Sequence, residues 1–180
     1  MSDNPDYAIQ SDHPKRIEVK VKKVSKMMGR TVPEPFYATE GAAGMDLAAC
    51  IGEPATVPPH GRAMIPTGIA IQLPSRNLVG LVFPRSGLAA RHGISLANAV
   101  GVIDSDYTGE ILCPVQNLGE AEYTIHPGDR IAQLVFVPVV TADLRFVDEL
   151  DETKRGGGGF GSTGGFGSTG PGVLKAKPAP

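Results

Sequence analysis

The stretch "NAVGVIDSDYTGE" (98–110) sets two carboxylates, Asp104 and Asp106, close to the ring of Tyr107. A carboxylate within hydrogen-bond reach of a water can act as a general base on that water. The same acids suit ordinary turn chemistry, because Asp side chains readily bond nearby backbone. Val100, Val102 and Ile103 supply β character and "SDYTG" supplies a turn, so the segment reads as a β-hairpin. Two further segments could hold anions. "FPRSGLAARHG" (83–93) puts Arg85 and Ser86 at the start of a short helix, whose first N–H groups favour negative charge. Ser86 would equally serve there as a simple cap. "GDRIAQLVF" (128–136) is a turn and a buried strand interrupted by Arg130 and Gln133. A solvated edge explains the interruption, and so does a polar group facing a ligand. "GAAGMDLAA" (41–49) surrounds Asp46 with small apolar residues. An acid there needs a partner, either an internal arginine or a metal, because an unpaired buried charge is costly.

"RGGGGFGSTGGFGSTG" runs from 155 to 170, and nine of its sixteen residues are glycine. It contains "GFGSTG" twice in tandem, at 159–164 and 165–170. Each copy fits G-x-G-x-x-G, but no βαβ unit or acidic partner follows, so a dinucleotide fold is excluded. No lysine precedes the Ser-Thr pair, so it is not a P-loop. Composition alone describes a flexible tail. Arg155 and Phe160 argue for more. Glycine backbone can converge on an anion, an arginine fork can grip phosphate, and a ring can stack on a base. Such an arm would order over a nucleotide as a lid that excludes water.

These groups need a scaffold. At 180 residues the chain suits one domain plus tails. Residues 1–15 and 171–180 read as disordered tails, 16–150 as the β domain and 151–170 as the Gly-rich arm. "RIEVKVKKV" alternates as a half-buried strand should. "GIAIQL", "LVGLVF", "EILCPV", "AEYTI" and "RIAQLVFVPVV" are further strands, separated by Pro- and Gly-rich turns. Sixteen prolines and many short strands indicate an all-β sandwich or barrel. The one helix expected is "SGLAARHG", closed by Gly93. A net charge of -2 argues against nucleic-acid binding, and no apolar run reaches the ~20 residues of a membrane span. The polar start lacks a signal-peptide core, and Cys50 and Cys113 read as reduced core thiols, so a cytoplasmic or nuclear location is expected. The four histidines read as structural or surface residues.

Taken together, five segments closely resemble the signature of the trimeric dUTPase family, in the family's order. They are "AGMDL" (43–47), "PRSGLA" (84–89), "GVIDSDYTGE" (101–110), "GDRIAQL" (128–134) and "RGGGGFGSTG" (155–164). The resemblance implies a jelly-roll-like (β-clip) barrel with one short helix. It implies a homotrimer with composite active sites drawn from all three chains. It implies hydrolysis of dUTP to dUMP and pyrophosphate with Mg2+ chelated by the substrate phosphates, which limits uracil in DNA and supplies dUMP for thymidylate synthesis. Asp104 then matches the residue that activates the attacking water. Arg85, Ser86, Gly87 and Gln133 match phosphate-contacting positions. Asn98, Gly101 and Val102 match the group that reads the uracil edge. Tyr107 matches the ring that packs on the sugar and rejects a 2′-hydroxyl. Arg155, Ser162 and Thr163 match the arm's phosphate grip, Gly161 matches a further substrate-binding position of the arm, and Phe160, in the first copy of the repeat, matches the ring that stacks on uracil. No protein residue is expected to ligate the metal directly; Asp46 is structural or lies behind its waters. A dCTP deaminase shares the implied fold, but the intact "GVIDSDY" and full arm speak against it. A non-catalytic binding protein would be expected to have lost one of these segments.

Overall fold

The computed structural model describes residues 16–158. By its internal contacts the chain divides into two units, Met1–Thr141 and Ala142–Pro180. The first unit carries every strand among the described residues. In chain order these are β1 (Lys20–Lys23), β2 (Phe36–Tyr37), β3 (Met45–Ala48), β4 (Ala55–Val57), β5 (Arg62–Gln72) and β6 (Leu78–Pro84). Helix α1 (Ser86–His92) follows, then β7 (Ile94–Leu96), β8 (Gly101–Ile103), β9 (Glu110–Asn117), β10 (Tyr123–Ile125) and β11 (Arg130–Pro138). They form a four-stranded sheet in the order β1-β5-β9-β7, a five-stranded sheet in the order β2-β3-β11-β6-β8, and a two-stranded sheet of β10 and β4. Every pairing is antiparallel.

The strands are where β-branched residues alternate. In β9, "EILCPVQN", Ile111, Cys113, Val115 and Asn117 are buried while Leu112 is exposed, the period of two that a one-sided sheet requires. One core joins Ile65, Ile69 and Ile71 of β5 and Ile111 and Val115 of β9 with Leu47, Val82 and Leu134 of the five-stranded sheet. Two antiparallel sheets packed face to face is the jelly-roll manner of burying apolar faces. Each large sheet has two free edges, so among the described strands there is no closed barrel. The expected barrel is thus a pair of open, facing sheets.

Three local expectations are also corrected. β1 is not half-buried: all four residues are exposed, Val21 at 53%, because the strand is the outer edge of its sheet. The segment 98–110 is not a hairpin. β8 pairs with β6, whereas β9 pairs with β5 and β7 in the other sheet. The chain between Asp104 and Gly109 is therefore a crossing from one sheet to the other. Helix α1 forms where expected and ends on Gly93 at φ 67, whose N–H bonds the Ala89 carbonyl. Ser86 is not its cap: Arg85 holds that position, and no side chain caps the helix.

Both cysteines are free and buried. Burial pushes the Cys113 thiol from its ordinary value of 9.0 up to about 12. Below pH 9 the thiol is neutral in folded and unfolded chains alike. Above pH 9 the unfolded chain releases this proton and the folded chain keeps it, so stability falls as pH climbs toward 12. The expected slope from this group is about 1.4 kcal/mol per pH unit. Urea titrations at pH 8 and pH 10 should show a steeper loss for the wild type than for Cys113→Ala. Equal losses would mean that the buried thiol does not titrate this way.

Candidate active site

A cleft of about 290 Å³ opens beside the sheet crossing, and Asn98, Gly101, Val102, Asp104, Tyr107 and Glu110 are among the residues that line it. Leu96, Val82 and Ile111 supply apolar lining. This is the low end of the size of small-molecule sites. Asp104 directly follows β8 and is exposed, so its carboxylate is open to water. The Tyr107 N–H bonds the Asp104 carbonyl at 3.2 Å, which folds the acid and the ring into one turn. The Tyr107 hydroxyl donates to the Glu110 carbonyl at 2.9 Å, leaving the ring 44% exposed at the cleft. The other wall begins in a strained turn. Ala99 stands at φ 60, and the Val100 N–H bonds the Asn98 carbonyl at 2.7 Å across it. A non-glycine residue at positive φ is uncommon and is held only where its surroundings over-determine it. Gly101 then lets β8 approach β6, since a Cβ there would stand 3.1 Å from Val82 Cβ.

A second cluster forms around Asp46, whose side chain is 2% exposed. Arg130 Nη1 donates to its Oδ2 at 2.9 Å. Arg85 Nε lies 2.9 Å from Oδ1, but its N–H is not directed along that line, so this contact is Coulombic rather than a hydrogen bond. Arg85 Nη1 also reaches the Arg130 carbonyl at 3.4 Å, at the limit of hydrogen bonding. The partner that Asp46 needs is thus a pair of arginines. Among the described residues no group of three His, Cys, Asp or Glu could hold a metal ion. Both carboxylate oxygens face guanidinium groups, so Asp46 braces the arginines.

The backbone explains why these residues meet. β11 lies between β3 and β6, so the solvated-edge reading of Arg130 and Gln133 is excluded. Gln133 pairs with Asp46 on one side and Phe83 on the other. Arg130 and Gln133 are three apart and would face opposite ways in a regular strand. A bulge between Arg130 and Ala132 inserts one residue, so Arg130 opposite Ala48 and Gln133 opposite Asp46 come to one face. Gly44 keeps that face open: a Cβ there would sit 3.3 Å from Gln133 Cβ. Ser86 and Gly87 follow Arg85 as exposed residues of the first turn of α1.

The site residues expected from sequence therefore fall into two sets on one chain. Asn98, Gly101, Val102, Asp104 and Tyr107 come together at the cleft. Arg85, Ser86, Gly87 and Gln133 gather near Asp46, and none of them lines that cleft. Arg130 was the missing member of the second set. Its signal was an arginine interrupting an apolar run, but the bulge that aims it leaves no mark in composition. In the second unit, Arg155 Nε bonds the Gly158 carbonyl at 2.8 Å within its own turn, with Gly156 at φ 51. Phe160, Gly161, Ser162 and Thr163, together with the second repeat and both terminal tails, lie outside the described residues.

A family model described as dUTPase matches residues 30–164. The deoxyuridine 5'-triphosphate nucleotidohydrolase of Hahella chejuensis is 51% identical over 144 residues, covering 80% of this chain and 95% of the relative. That of Escherichia coli (strain K12) is 46% identical over 150 residues, covering 83% and 98%. Among solved structures, the dUTPase of Staphylococcus bacteriophage 80alpha with dUPNHPP superposes with a TM-score of 0.72 at 28% identity, covering 82% of this chain and 98% of that one. The chain belongs to the dUTPase family of enzymes.

Asp46 yields a direct test. Asp46→Asn removes the charge between two arginines but keeps the side-chain volume. Breaking a fully buried pair costs about 3–5 kcal/mol, and the partial exposure of the arginines reduces that to roughly 2–3. Urea unfolding should report the loss, and Arg130→Gln, whose guanidinium side chain is 43% exposed, should lose less. A neutral effect of Asp46→Asn would show that the arginines do not depend on it.

Proposed function

We propose that this enzyme hydrolyses dUTP to dUMP and pyrophosphate at a site completed by three copies of the chain. The observation that carries the reading is the convergence of Asn98, Gly101, Val102, Asp104 and Tyr107 on one cleft. Asp104 acts as general base: it orients a water and takes its proton as the water oxygen bonds the α-phosphorus. The bond from the α-phosphorus to the bridging oxygen breaks, and pyrophosphate leaves. The backbone at Gly101 and Val102, with Asn98, pairs the uracil edge. Cytosine would leave those groups unmatched, which discriminates strongly. Tyr107 packs on the deoxyribose.

Arg85, Ser86, Gly87 and Gln133 bind the phosphates. Their separation from the cleft's lining within one chain supports a composite site, in which one copy supplies the nucleoside wall and another the phosphate grip. Arg155, Phe160, Gly161, Ser162 and Thr163 would close over the nucleotide. Mg2+ bound to the triphosphate would neutralise its charge. The product dUMP serves thymidylate synthesis, and removal of dUTP limits uracil in DNA.

Pyrophosphate release with Mg2+ from dUTP, dTTP, dCTP and UTP tests the reading. Turnover should be confined to dUTP, and Asp104→Asn should lower kcat by about 10²–10⁴-fold with little change in KM. Release of ammonia from dCTP, or no turnover of dUTP, would overturn it. A chain ending at Lys154 should lose most activity. Phe160→Ala should weaken binding and turnover more than Phe166→Ala, since the first copy of the repeat carries the stacking ring. Equal losses would move that register.

A further inference from the structure

Glu110 opens β9 at the rim of the cleft and makes two bonds to different parts of the molecule. Its carboxylate Oε1 accepts from the Gly68 N–H at 2.8 Å. Its carbonyl accepts from the Tyr107 hydroxyl at 2.9 Å. Gly68 is a special point in β5. The register with β9 shifts between Pro66 and Ala70, and Gly68 stands at φ 73 within that shift. A Cβ at this position would lie 2.5 Å from Cys50 Sγ, so the bulge brings backbone against core. Such a bulge interrupts the ladder and leaves a backbone donor without its cross-strand carbonyl. Here a charged oxygen takes that donor, a stronger bond than a neutral one. Beside it, Thr67 Oγ1 donates to the Ile111 carbonyl at 2.7 Å, so consecutive residues of the bulge grip the start of β9.

The ring end is equally constrained. A Cβ on Gly109 would stand 2.6 Å from the Tyr107 hydroxyl oxygen and 2.7 Å from Cζ. The ring lies folded against the backbone at 109, and only glycine leaves room for it. The acceptor that holds it there is the carbonyl of the residue whose side chain is clamped to the bulge. Glu110 is thus tied to β5 twice, by its ladder pairing with Ala70 and by its side-chain bond to Gly68.

We infer that Glu110 is a positioning residue for the cleft: it fastens the β5 bulge to the first residue of β9 and so fixes the carbonyl that orients the Tyr107 ring. The consequence for specificity rests on the reading that Tyr107 packs on the deoxyribose. A ring free to swing would admit a 2′-hydroxyl that a fixed ring excludes.

The full chain and the variants Glu110→Ala, Glu110→Gln and Gly109→Ala test this through kcat and KM for dUTP and UTP, together with hydrogen–deuterium exchange over the peptide containing Gly68. Glu110→Ala should speed exchange at Gly68 and raise KM for dUTP about tenfold with kcat within about twofold. Its preference for dUTP over UTP should fall about tenfold. Glu110→Gln should recover most of both, because its amide oxygen still accepts the N–H. Gly109→Ala should lose the same preference while exchange at Gly68 stays as in the wild type, because it displaces the ring and leaves the clamp. An unchanged preference in Glu110→Ala, or an equal fall in kcat for both nucleotides, would overturn the inference. If Glu110→Ala does not fold, Gly109→Ala decides: an undisturbed preference there overturns the inference too. A wild-type chain inactive on dUTP would instead overturn the functional reading. Unchanged Gly68 exchange in a folded Glu110→Ala would overturn the clamp whatever the substrate.

Discussion

A carboxylate buried to 2% exposure between two guanidinium groups sets the terms for one end of this molecule. Asp46 alone in that place would be untenable, since desolvation of an unpaired charge costs several kcal/mol. Its presence requires that β3 and β11 keep a register in which Arg130 can reach it, and that β6 end where Arg85 can. The bulge in β11 is part of the same requirement, because without it Arg130 would point away from Asp46. Such ion pairs are poor sources of net stability. What they supply is geometry, a fork of guanidinium groups braced from behind with net positive charge left over. An anion meeting that cluster meets groups already in place, so little ordering is needed at the moment of binding.

The cleft is built on a different constraint. Its residues sit where the chain leaves one sheet for the other, so neither sheet alone fixes their geometry. Local devices do it instead: Ala99 at positive φ, Gly101 and Gly109 at close approaches, and hydrogen bonds that fold Asp104 and Tyr107 into one turn. Each device is small. Together they over-determine a crossing that would otherwise be a loop, so an exposed segment can hold its side chains in a fixed geometry.

Much of this was legible in the residues. The strands of β5, β6, β9 and β11 follow from β-branched alternation, and α1 from a short helical run closed by glycine. Asp46 announced itself as an acid in an apolar setting, and Arg130 and Gln133 as polar interruptions of a buried strand. What sequence could not supply was pairing. The alternation of "GVIDSDYTGE" is the same whether β8 turns back on β9 or pairs with β6, and only the competition among distant partners settles it. The exposure of β1 was hidden for a similar reason. "RIEVKVKKV" alternates as a half-buried strand should, but the strand that forms within it, Lys20–Lys23, lies at a sheet edge with Val21 exposed. The bulge at Arg130 leaves no compositional trace, so two cations that looked unrelated share one acid.

These two constraints differ in how they respond to change. The Asp46 cluster depends on long-range register, so its loss is felt as stability. The cleft depends on short-range close approaches, so a single methyl group at Gly101 or Gly109 acts locally. A Cβ at Gly109 would press on a ring that can move, whereas one at Gly101 would press on Val82 in the neighbouring strand. Substitution at Gly109 should therefore leave the fold intact and re-aim a side chain, while substitution at Gly101 strains the pairing of β8 with β6. Two glycines eight residues apart thus act separately, Gly109 on a side chain of the cleft and Gly101 on the sheet. That separation lets the Tyr107 wall of the cleft vary without disturbing the sheet behind it.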